Sequence, residues 1–349
     1  MKNSIKVISS GPMTLLQDLG RRGFEEYGVS VSGIADREAF NISNRLVFNK
    51  EDDTVIEIFF GDTSLNFFGN NIVAISGADL GAEINGIKCP INTSFVVPND
   101  SIMNFHYPLE GIRSYLSVAG GMKTKKILGS RSMHVMSGIG NAPLKSGDII
   151  PIGLSNSIKS GFSLKNYHRD LGVEIKKIGV ILGQQVDRFG EDMIRIFFSK
   201  TYVVSDKSDR QGLRLEGETI FTKNKDHDII SDPVVYGSIQ IPGNGFPIIL
   251  MPDTQTTGGY PKIGNVGKIY LDVLAQLKPG DKIKFFLITP DKSREEYLYK
   301  RSVIYKNELI RDVKIETCLV NGEDTIIGVN NNIAFTEDHA FLFSLLEEH

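Results

Sequence analysis

Hydrophobic residues occur along this chain in many short runs rich in valine, isoleucine and phenylalanine, and turn-forming residues interrupt these runs. Glycine alone accounts for 35 of the 349 residues. Short apolar runs bounded by turn residues are typical of β-strands, whereas helices need longer stretches with helical spacing. The pattern therefore predicts a mainly β chain with few helices.

The clearest strand pair lies at residues 237–251. Two apolar runs in this segment flank the tripeptide Gly243-Asn-Gly245, which favours a tight turn. Three other segments place a polar turn directly before a strand and also indicate hairpins: 97–105, 144–152 and 277–285. The last two of these are similar in sequence, which suggests two related β-rich units.

Helical spacing of apolar residues marks only a few segments. At 35–47 the apolar side chains fall on one side of a helix, and either Ser32-Gly33 or Asp36 is available to cap its start. A second helical pattern covers 266–277, and a third, short and apolar, covers 341–346.

The length of the chain favours more than one domain, because a single core usually stops growing at roughly 250 to 300 residues. The polar, aperiodic segment 155–165 is the best candidate for a linker. We therefore expect an N-terminal β-rich domain with one helix at 1–155, a second β-rich domain at 166–290 and a C-terminal extension at 291–349.

Composition and charge exclude several classes of protein. The formal net charge is −3 and no block of Lys and Arg with interleaved aromatic residues occurs, so we do not expect a nucleic-acid partner. No apolar run approaches the ~18 residues that span a bilayer. Residues 1–10 also lack a signal-peptide core, so we expect a cytoplasmic protein without a membrane partner. Cys89 and Cys318 are far apart and the histidines are scattered, which predicts neither a disulfide framework nor a bound metal.

Residues 253–262 (Asp-Thr-Gln-Thr-Thr-Gly-Gly-Tyr-Pro-Lys) have the composition of a binding site. They combine a carboxylate, hydroxyl groups, an amide, a phenol and an ammonium group with a glycine pair. The backbone N–H groups of such a pair are free to turn together towards an anion or a carbonyl oxygen. Because a plain connection needs none of these groups, we predict that this strand-to-helix loop binds a ligand.

The segment Asp209–Leu215 is the second candidate site. If it forms a strand, the alternation of side chains places Arg210, Gly212 and Arg214 on one face and the leucines on the other. Two guanidinium groups would then stand side by side, which suits a carboxylate or a phosphate because arginine donates in a fixed fork. A solvated strand face is the alternative, and we favour a site because the glycine clears the space between the arginines.

The N-terminal half contains secondary candidates. Gln17, Asp18 and Arg21 lie among glycines and indicate equally a binding site or a turn held by an Asp18–Arg21 pair. Ser130 and Arg131, which follow a glycine, form a further candidate for anion binding.

Sequence signatures of other catalytic classes are absent. The segment 264–268 resembles part of a phosphate-binding loop, but Ile269 stands where that loop needs a hydroxyl for magnesium. Neither a Gly-x-Ser-x-Gly elbow nor a recognisable Cys/His pair occurs. Any catalysis must therefore come from Asp, Lys, Tyr and Arg side chains that transfer protons and stabilise a developing oxyanion.

An ordered set of eight motifs covers roughly residues 5–286: Gln17-Asp-x-Gly-Arg21, Ser32-Gly-x-x-Asp36, Asn44-x-Leu-Val47, Glu57-x-x-x-Gly61, Gly129-Ser-Arg-Ser132, Ser208-Asp-Arg-x-Gly-x-Arg-Leu215, Gly237-x-Ile-Gln-x-Pro242 and Gln255-Thr-Thr-Gly-Gly-Tyr-Pro261. Together they resemble the biotin-dependent carboxyltransferase family. That family includes the C subunit (PxpC) of the bacterial ATP-dependent 5-oxoprolinase, the KipA protein and the second allophanate-hydrolase-type subunit.

The resemblance implies a β-rich fold with a cyclophilin-like β-barrel, which we assign to residues 166–290. It favours the C subunit of a 5-oxoprolinase, which opens the 5-oxoproline lactam to L-glutamate with a KipI-like B subunit together with a lactam-hydrolase A subunit. ATP, with magnesium, would then be a co-substrate of the complex. The exact substrate stays open, because relatives with different substrates share one fold.

On this hypothesis a small lactam acid needs an arginine for its carboxylate, and Arg210 or Arg214 would serve. Asp253 is the candidate base or water-positioning group. Tyr260 or Lys262, with the glycine backbone, would contact the carbonyl oxygen. The rest of the predicted substrate-binding set consists of Gln240, Gln255, Thr256, Thr257, Gly258 and Gly259.

Two alternatives stay open. As a carboxyltransferase subunit, the chain would move a carboxyl group from carboxybiotin to urea or another amide. The biotin would then arrive on another protein, because no Met-Lys-Met attachment motif occurs here. As a KipA-like antagonist, the chain would bind a KipI-type kinase inhibitor and would catalyse nothing.

Overall fold

The computed structural model describes residues 3–155, 160–165, 167, 169–224 and 226–310 in full, and it describes the backbone of strands at 314–320, 323–330, 333–335 and 340–342. Within these residues the chain forms 26 strands and four α-helices. The predicted mainly β fold is therefore confirmed. No helix in this described part is both long and apolar enough to cross a membrane.

Two sheets share one hydrophobic core in the N-terminal half. Their strands are β1 (Ser4–Ser10), β2 (Met13–Gln17), β3 (Val55–Phe59), β4 (Thr63–Phe68), β5 (Asn71–Asp79), β6 (Glu83–Ile84), β7 (Ile87–Lys88), β8 (Ser94–Val97), β9 (Ser101–Phe105), β10 (Glu110–Val118) and β11 (Ile149–Pro151). One sheet has the order β11-β1-β4-β9-β6-β7, and the other contains the run β2-β3-β10-β5-β8. Side chains from both sheets, such as Phe67 and Phe95, pack in the common core.

Seven later strands close a barrel with its own core. The strands of this region are β12 (Ser163–Leu164), β13 (Ile175–Leu182), β14 (Thr201–Val204), β15 (Gly212–Glu216), β16 (Asp232–Pro233), β17 (Ser238–Gln240), β18 (Ile248–Leu250), β19 (Thr257–Gly258), β20 (Lys262–Val266) and β21 (Lys282–Leu287). The barrel order is β13-β20-β17-β18-β15-β14-β21. Its core contains the stacked rings of Phe197 and Phe285, whose centroids are 4.4 Å apart. The expected barrel is thus present.

The predicted hairpin at 237–251 is confirmed, because β17 and β18 pair antiparallel around the predicted turn. The other three hairpins are wrong, although each predicted turn does precede a strand. β9 pairs with β4 and β6, β11 pairs with β1, and β21 pairs with β13 and β14. These turns redirect the chain to strands that are distant in sequence.

The two similar turns, 145–148 and 278–281, form the same hydrogen bonds. In each, the first lysine N–H donates to the aspartate side chain, at 2.9 Å in the first turn and 3.0 Å in the second. Each turn also exchanges two backbone hydrogen bonds with a valine of an adjacent strand or strand end, Val7 in the first turn and Val204 in the second. The sequence similarity therefore corresponds to a repeated local structure.

The helices are α1 (Arg37–Leu46), α2 (Glu191–Ser199), α3 (Leu271–Leu274) and α4 (Pro290–Lys306), and single 3-10 turns lie at Glu25–Tyr27, Val186–Arg188 and Lys268–Tyr270. The predicted first helix is confirmed, and Asp36 caps it by accepting the N–H of Ala39 at 3.0 Å. The helix predicted at 266–277 is much shorter. Val266 still belongs to β20, and the N–H of Gly267 donates to the carbonyl of Gly179 in β13, so the chain stays bonded to the barrel there.

The C-terminal region begins with α4, which the sequence analysis did not predict. Its start is capped by Thr289, which accepts the N–H of Lys292 at 3.2 Å. Near its end Ile304 packs in a buried cluster with Ile42 and Leu46 of α1, so α4 is in contact with the N-terminal half.

The chain continues through β22 (Leu309–Ile310), β23 (Lys314–Val320), β24 (Glu323–Asn330), β25 (Ile333–Phe335) and β26 (Ala340–Leu342). The last of these pairs with β8, so the strands from β23 onward extend the second sheet. The helix predicted at 341–346 begins in a strand instead, and its residues 343–346 lie outside the described part. Residues 156–159 of the predicted linker also lie outside it, and the division into three domains stays a prediction.

Candidate functional site

The predicted binding loop, residues 253–262, connects β18 to β20. Its middle forms β19, in which Gly258 pairs with Asp232 of β16. Neither Gly258 nor Gly259 has a positive φ angle, so neither adopts a backbone conformation that favours glycine, and binding of an anion by their N–H groups stays a prediction. Gly258 has another structural requirement: a Cβ atom at this position would lie 2.3 Å from Nε2 of Gln240.

Strand pairing places four residues, three polar and one apolar, in one row on neighbouring strands of the barrel. Arg214, Ile248, Gln240 and Lys262 stand opposite one another on β15, β18, β17 and β20. Directly paired residues share one face of a sheet. Because the neighbouring Leu213 lies in the barrel core, this row points outward.

A cavity of about 340 Å³ lies between this row and the binding loop, and we call it the small cavity. Four predicted site residues line it: Arg214, Gln240, Gln255 and Tyr260. The remaining lining residues are Gln211, Gly212, Pro242, Asn244, Ile248 and Leu250. The volume and the mixture of amide, guanidinium and apolar groups suit a small polar molecule.

Arg210 does not join Arg214 in this cavity. The strand begins only at Gly212, so the alternation that was expected to align the two arginines does not extend to Arg210. Its side chain is 5% exposed and points towards the N-terminal half. There Nη1 donates to Glu57, and Nη2 donates to the carbonyl of Gly33 at 2.6 Å. The predicted pair of adjacent guanidinium groups is therefore wrong.

Asp253 lies beside Arg210, whose Nε donates to it at 3.1 Å. The aspartate side chain is 1% exposed. It also accepts hydrogen bonds from the Ser32 hydroxyl at 2.7 Å and from the N–H of Val135 at 3.3 Å. Catalysis by Asp253 as a base stays a prediction, and in this structure the carboxylate holds Arg210 and Ser32 in place.

We call Arg210, Asp253 and Glu57 the Arg210 cluster. Burial alone lowers the pKa of Arg210, but the attraction of Asp253 and Glu57 outweighs burial and raises it. Glu57 also accepts the hydroxyl of Tyr115 at 2.8 Å, and burial raises the pKa of Tyr115 well above its usual value.

The sequence analysis did not assign Glu57 or Ser32 to the site, although both belong to motifs of the family. The available signal was the position of Glu57, a charged residue in the middle of the apolar strand β3. A buried charge needs a partner, and that requirement alone marks the position as unusual.

The remaining predicted residues of the loop lie apart from the small cavity. Lys262 forms an ion pair with Asp232 at 2.5 Å. Thr257 is exposed on β19, whereas Thr256 lines a second cavity. The catalytic role of Lys262 stays a prediction, and its present contact fixes β16 against β20.

The second cavity, of about 660 Å³, lies between the N-terminal half and the barrel, and we call it the large cavity. Gln255 lines both cavities, so the binding loop separates them. The large cavity is also lined by Arg22, Ser30, Ser32 and Arg37 from the N-terminal half and by Tyr236, Thr254, Asn265 and Asp272 from the barrel region.

A further group of charges, which we call the Asp272 cluster, borders the large cavity. Its members are Asp36, Glu38, Asp272, Arg169 and Lys300. The three acids bring possible metal-ligand atoms within 4.8 Å of one another. Arg169 and Lys300 already pair with these carboxylates at 2.6 to 3.3 Å, so side chains of the chain itself supply the positive charge there.

The secondary candidates form an internal network in the N-terminal half. The carboxylate of Asp18 accepts the Ser130 hydroxyl at 2.5 Å and the N–H of Arg131 at 2.6 Å. The predicted anion-binding turn therefore binds a carboxylate of the same chain. Gln17 and Arg21 donate to the carbonyls of Met133 and Ser132, so they hold the same segment.

Comparison with known proteins assigns this chain to a family. Residues 27–287 match the family described as carboxyltransferase domain, subdomain A and B. The C subunit of 5-oxoprolinase from Escherichia coli (strain K12) is 33% identical over 285 residues, which is 80% of this chain and 90% of the relative. The urea amidolyase of Saccharomyces cerevisiae is 29% identical over 314 residues, 83% of this chain but only 17% of the relative.

Solved structures agree with the sequence comparison. The crystal structure of the K. lactis urea amidolyase superposes with a TM-score of 0.82 at 26% identity, over 90% of this chain. This chain spans only 20% of the length of that much longer protein. With the family match over most of its length, the chain belongs to the carboxyltransferase domain family.

Proposed function

We propose that this chain is the C subunit of an ATP-dependent 5-oxoprolinase and that its small cavity binds the lactam acid. The observation that carries the proposal is the convergence of Arg214, Gln240, Gln255 and Tyr260 on one cavity of about 340 Å³. The relative from Escherichia coli supports the choice of substrate, because it bears this name and matches most of both chains.

The lining of the small cavity complements each part of a five-membered lactam acid. The guanidinium of Arg214 binds the carboxylate, because its parallel N–H groups match the two carboxylate oxygens. The side chains of Ile248 and Leu250 offer apolar contact to the ring. The phenol of Tyr260 and the amide of Gln255 face the polar edge of the ring.

Ring opening adds water to the carbonyl carbon and breaks the C–N bond, while the nitrogen takes up a proton. Negative charge develops on the carbonyl oxygen, so hydrogen-bond donors aimed at that oxygen stabilise the transition state. Tyr260 is 41% exposed at the cavity and can donate its hydroxyl. We place ATP and magnesium with the proposed partners, a KipI-like B subunit together with a lactam-hydrolase A subunit, because this sequence has no phosphate loop.

Mixing the three purified proteins tests the proposal. We expect ADP formation that depends on 5-oxoproline, and we expect Arg214→Ala to lower kcat/KM by about 10- to 150-fold, since a hydrogen bond to a charged group contributes about 1.5–3 kcal/mol. Arg214→Lys should recover part of this loss because it keeps the charge but not the fork.

Arg195→Ala is the matched control, because the Arg195 side chain is 74% exposed on α2 and pairs only with a neighbour on the same helix among the described residues. It should behave as the unmodified chain. Absence of 5-oxoproline-dependent ADP in the unmodified mixture, or full activity of Arg214→Ala, would contradict the proposal.

The similarity to fungal urea amidolyases favours a second candidate, carboxyl transfer from carboxybiotin to urea or another small amide. The biotin would be carried by another protein, and the small cavity would hold the amide. A carboxylated biotin carrier mixed with this chain and urea distinguishes the two candidates. Loss of the carboxyl group that depends on urea, without any 5-oxoproline-dependent ADP, would favour the transferase.

A further inference from the structure

A two-stranded ribbon carries the part of the binding loop that reaches the small cavity. β16 pairs antiparallel with β19, and two further backbone hydrogen bonds, of 2.8 and 3.1 Å, extend this pairing to residues 229–234 and 256–259, which we call the ribbon. Tyr260 follows the ribbon directly and lines the small cavity. The position of this phenol therefore depends on what holds the ribbon against the barrel.

Three side chains connect the ribbon to the barrel, and we call Lys262, Asp232 and Gln185 the Lys262 network. Nζ of Lys262, on β20, pairs with the carboxylate of Asp232, on β16, at 2.5 Å. Gln185, which follows β13, bridges the same two residues. Its Nε2 donates to Asp232 at 3.1 Å, and its Oε1 accepts the backbone N–H of Lys262 at 2.8 Å. The Lys262 side chain is only 12% exposed, so its charge needs this carboxylate as a partner.

Lys262 lies next to the small cavity but does not line it, although the sequence analysis placed it at the ligand carbonyl. Its backbone is two residues from Tyr260, and the ring of Pro261 between them fixes one of the backbone angles. The carbonyl of Pro261 also accepts the N–H of Ile241 at 3.0 Å. Because this segment is short and stiff, the position of Lys262 determines the position of Tyr260.

We propose that the Lys262 network is a positioning device, which fixes the ribbon so that the Tyr260 hydroxyl meets the carbonyl oxygen of the ligand. The inference rests on the proposed function for the identity of that ligand. Lys262 is then a positioning residue that acts through Tyr260 and touches no ligand atom. Arg214 stands on β15, at the other end of the row, so binding of the ligand carboxylate does not depend on the network.

Turnover by the complex of three proteins tests this role. We expect Lys262→Met and Asp232→Asn each to lower kcat about tenfold and to change KM for 5-oxoproline by less than about twofold, because a misplaced donor to the developing oxyanion affects the transition state and not the bound substrate. The double variant should be no worse than either single variant, since both substitutions break one interaction.

A second pair of variants connects the network to the phenol. Tyr260→Phe removes the donor that the network positions, so addition of Lys262→Met should lower kcat no further. A lysine that itself contacts the ligand would lower kcat by the same factor with and without the Tyr260 hydroxyl. Lys282→Met is the matched control, because Lys282 also forms an ion pair on the barrel, with Glu174 at 3.2 Å, and lines neither cavity. It should turn over as the unmodified chain does.

Amide hydrogen exchange of the full chain tests the network without turnover. Lys262→Met should speed exchange within the ribbon by up to about fivefold, as expected for loss of a partly exposed ion pair, because the ribbon then opens more easily. Lys282→Met should leave exchange in the ribbon unchanged. Thermal melting should show that all variants are folded.

Unchanged exchange in the ribbon of Lys262→Met, or an equal loss of kcat with and without the Tyr260 hydroxyl, would overturn the inference. Failure of the proposed function gives a different result. Faster exchange in the ribbon of Lys262→Met, without any 5-oxoproline-dependent ADP from the unmodified complex, would retain the hold of the network on the ribbon and contradict the proposed function. Turnover whose kcat is unchanged by Lys262→Met would do the opposite.

Discussion

Two buried ionic clusters connect the N-terminal half to the barrel region, and they are built differently. In the Arg210 cluster one guanidinium binds two carboxylates, Asp253 and Glu57, and also a backbone carbonyl. In the Asp272 cluster three carboxylates are shared between Arg169 and Lys300. Each cluster contains one more carboxylate than cations. The two clusters differ in the way the cations bind these carboxylates.

A single planar cation can bind several acceptors in a fixed arrangement. The donors of Arg210 have a fixed fork, so they align three segments that are far apart in sequence, one of which is the start of the binding loop. Lys300 is a point charge on a flexible chain, and the acids around it are less evenly compensated. Burial, together with the nearby Asp36, raises the pKa of Asp272 to about 6.

Tyr115 connects the two clusters. Its hydroxyl donates to Glu57 at 2.8 Å and accepts the N–H of Asp36 at 2.9 Å. One buried phenol therefore joins the helix cap of α1 to the carboxylate that holds Arg210.

Removal of the shared cation should have the largest effect on stability. We expect Arg210→Met to lower the free energy of unfolding by about 3–5 kcal/mol, because it leaves Asp253 and Glu57 buried without compensation. Urea denaturation measures this change, and Arg195→Met is the exposed control. Adding Glu57→Gln and Asp253→Asn should recover part of the loss; if it recovers none, the cluster does not act through charge.

Removal of the connecting hydroxyl should have an intermediate effect. We expect Tyr115→Phe to cost about 1–3 kcal/mol, because the N–H of Asp36 loses its acceptor in a buried environment. Tyr107→Phe, on an exposed tyrosine, is the matched control. Equal denaturation midpoints for the two variants would show that the connection contributes nothing.

Neutralisation of Asp272 should change stability least at neutral pH, because loss of a partner for Lys300 offsets removal of a buried acid. The effect of this substitution is expected in the pH dependence of the free energy of unfolding. The folded pKa of about 6 lies above the ordinary 3.8, so the folded state retains a proton in that window and stability falls as the pH rises through it.

Asp272→Asn should remove this decline, as measured by urea denaturation across the window. Asp192→Asn, at an exposed acid of α2, should keep the decline. A decline of unchanged slope in Asp272→Asn would assign the effect to another group.

Local features of the sequence predicted much of the fold. The cap at Asp36, the turn between β17 and β18, and the repeated turns at 145–148 and 278–281 all depend on contacts within a few residues or on the stereochemistry of Gly and Asp. Outward placement of Arg214 also followed from alternation within one strand. The helix α4 was missed because its sequence is charged on nearly every side and lacks a broad apolar stripe.

The amino-acid sequence by itself determined the mainly β class, the family and the segment that forms the wall of the small cavity. Only the tertiary structure decided that Arg214 faces that cavity and that Arg210 lies in a buried ionic cluster. The reason is physical: Arg210 finds Glu57 at a separation of 153 residues, and pairing across such a distance depends on how two cores dock. Similarly, only the packed loop shows that Gly258 makes room for Gln240, since the two residues approach each other through folding and not through spacing along the chain.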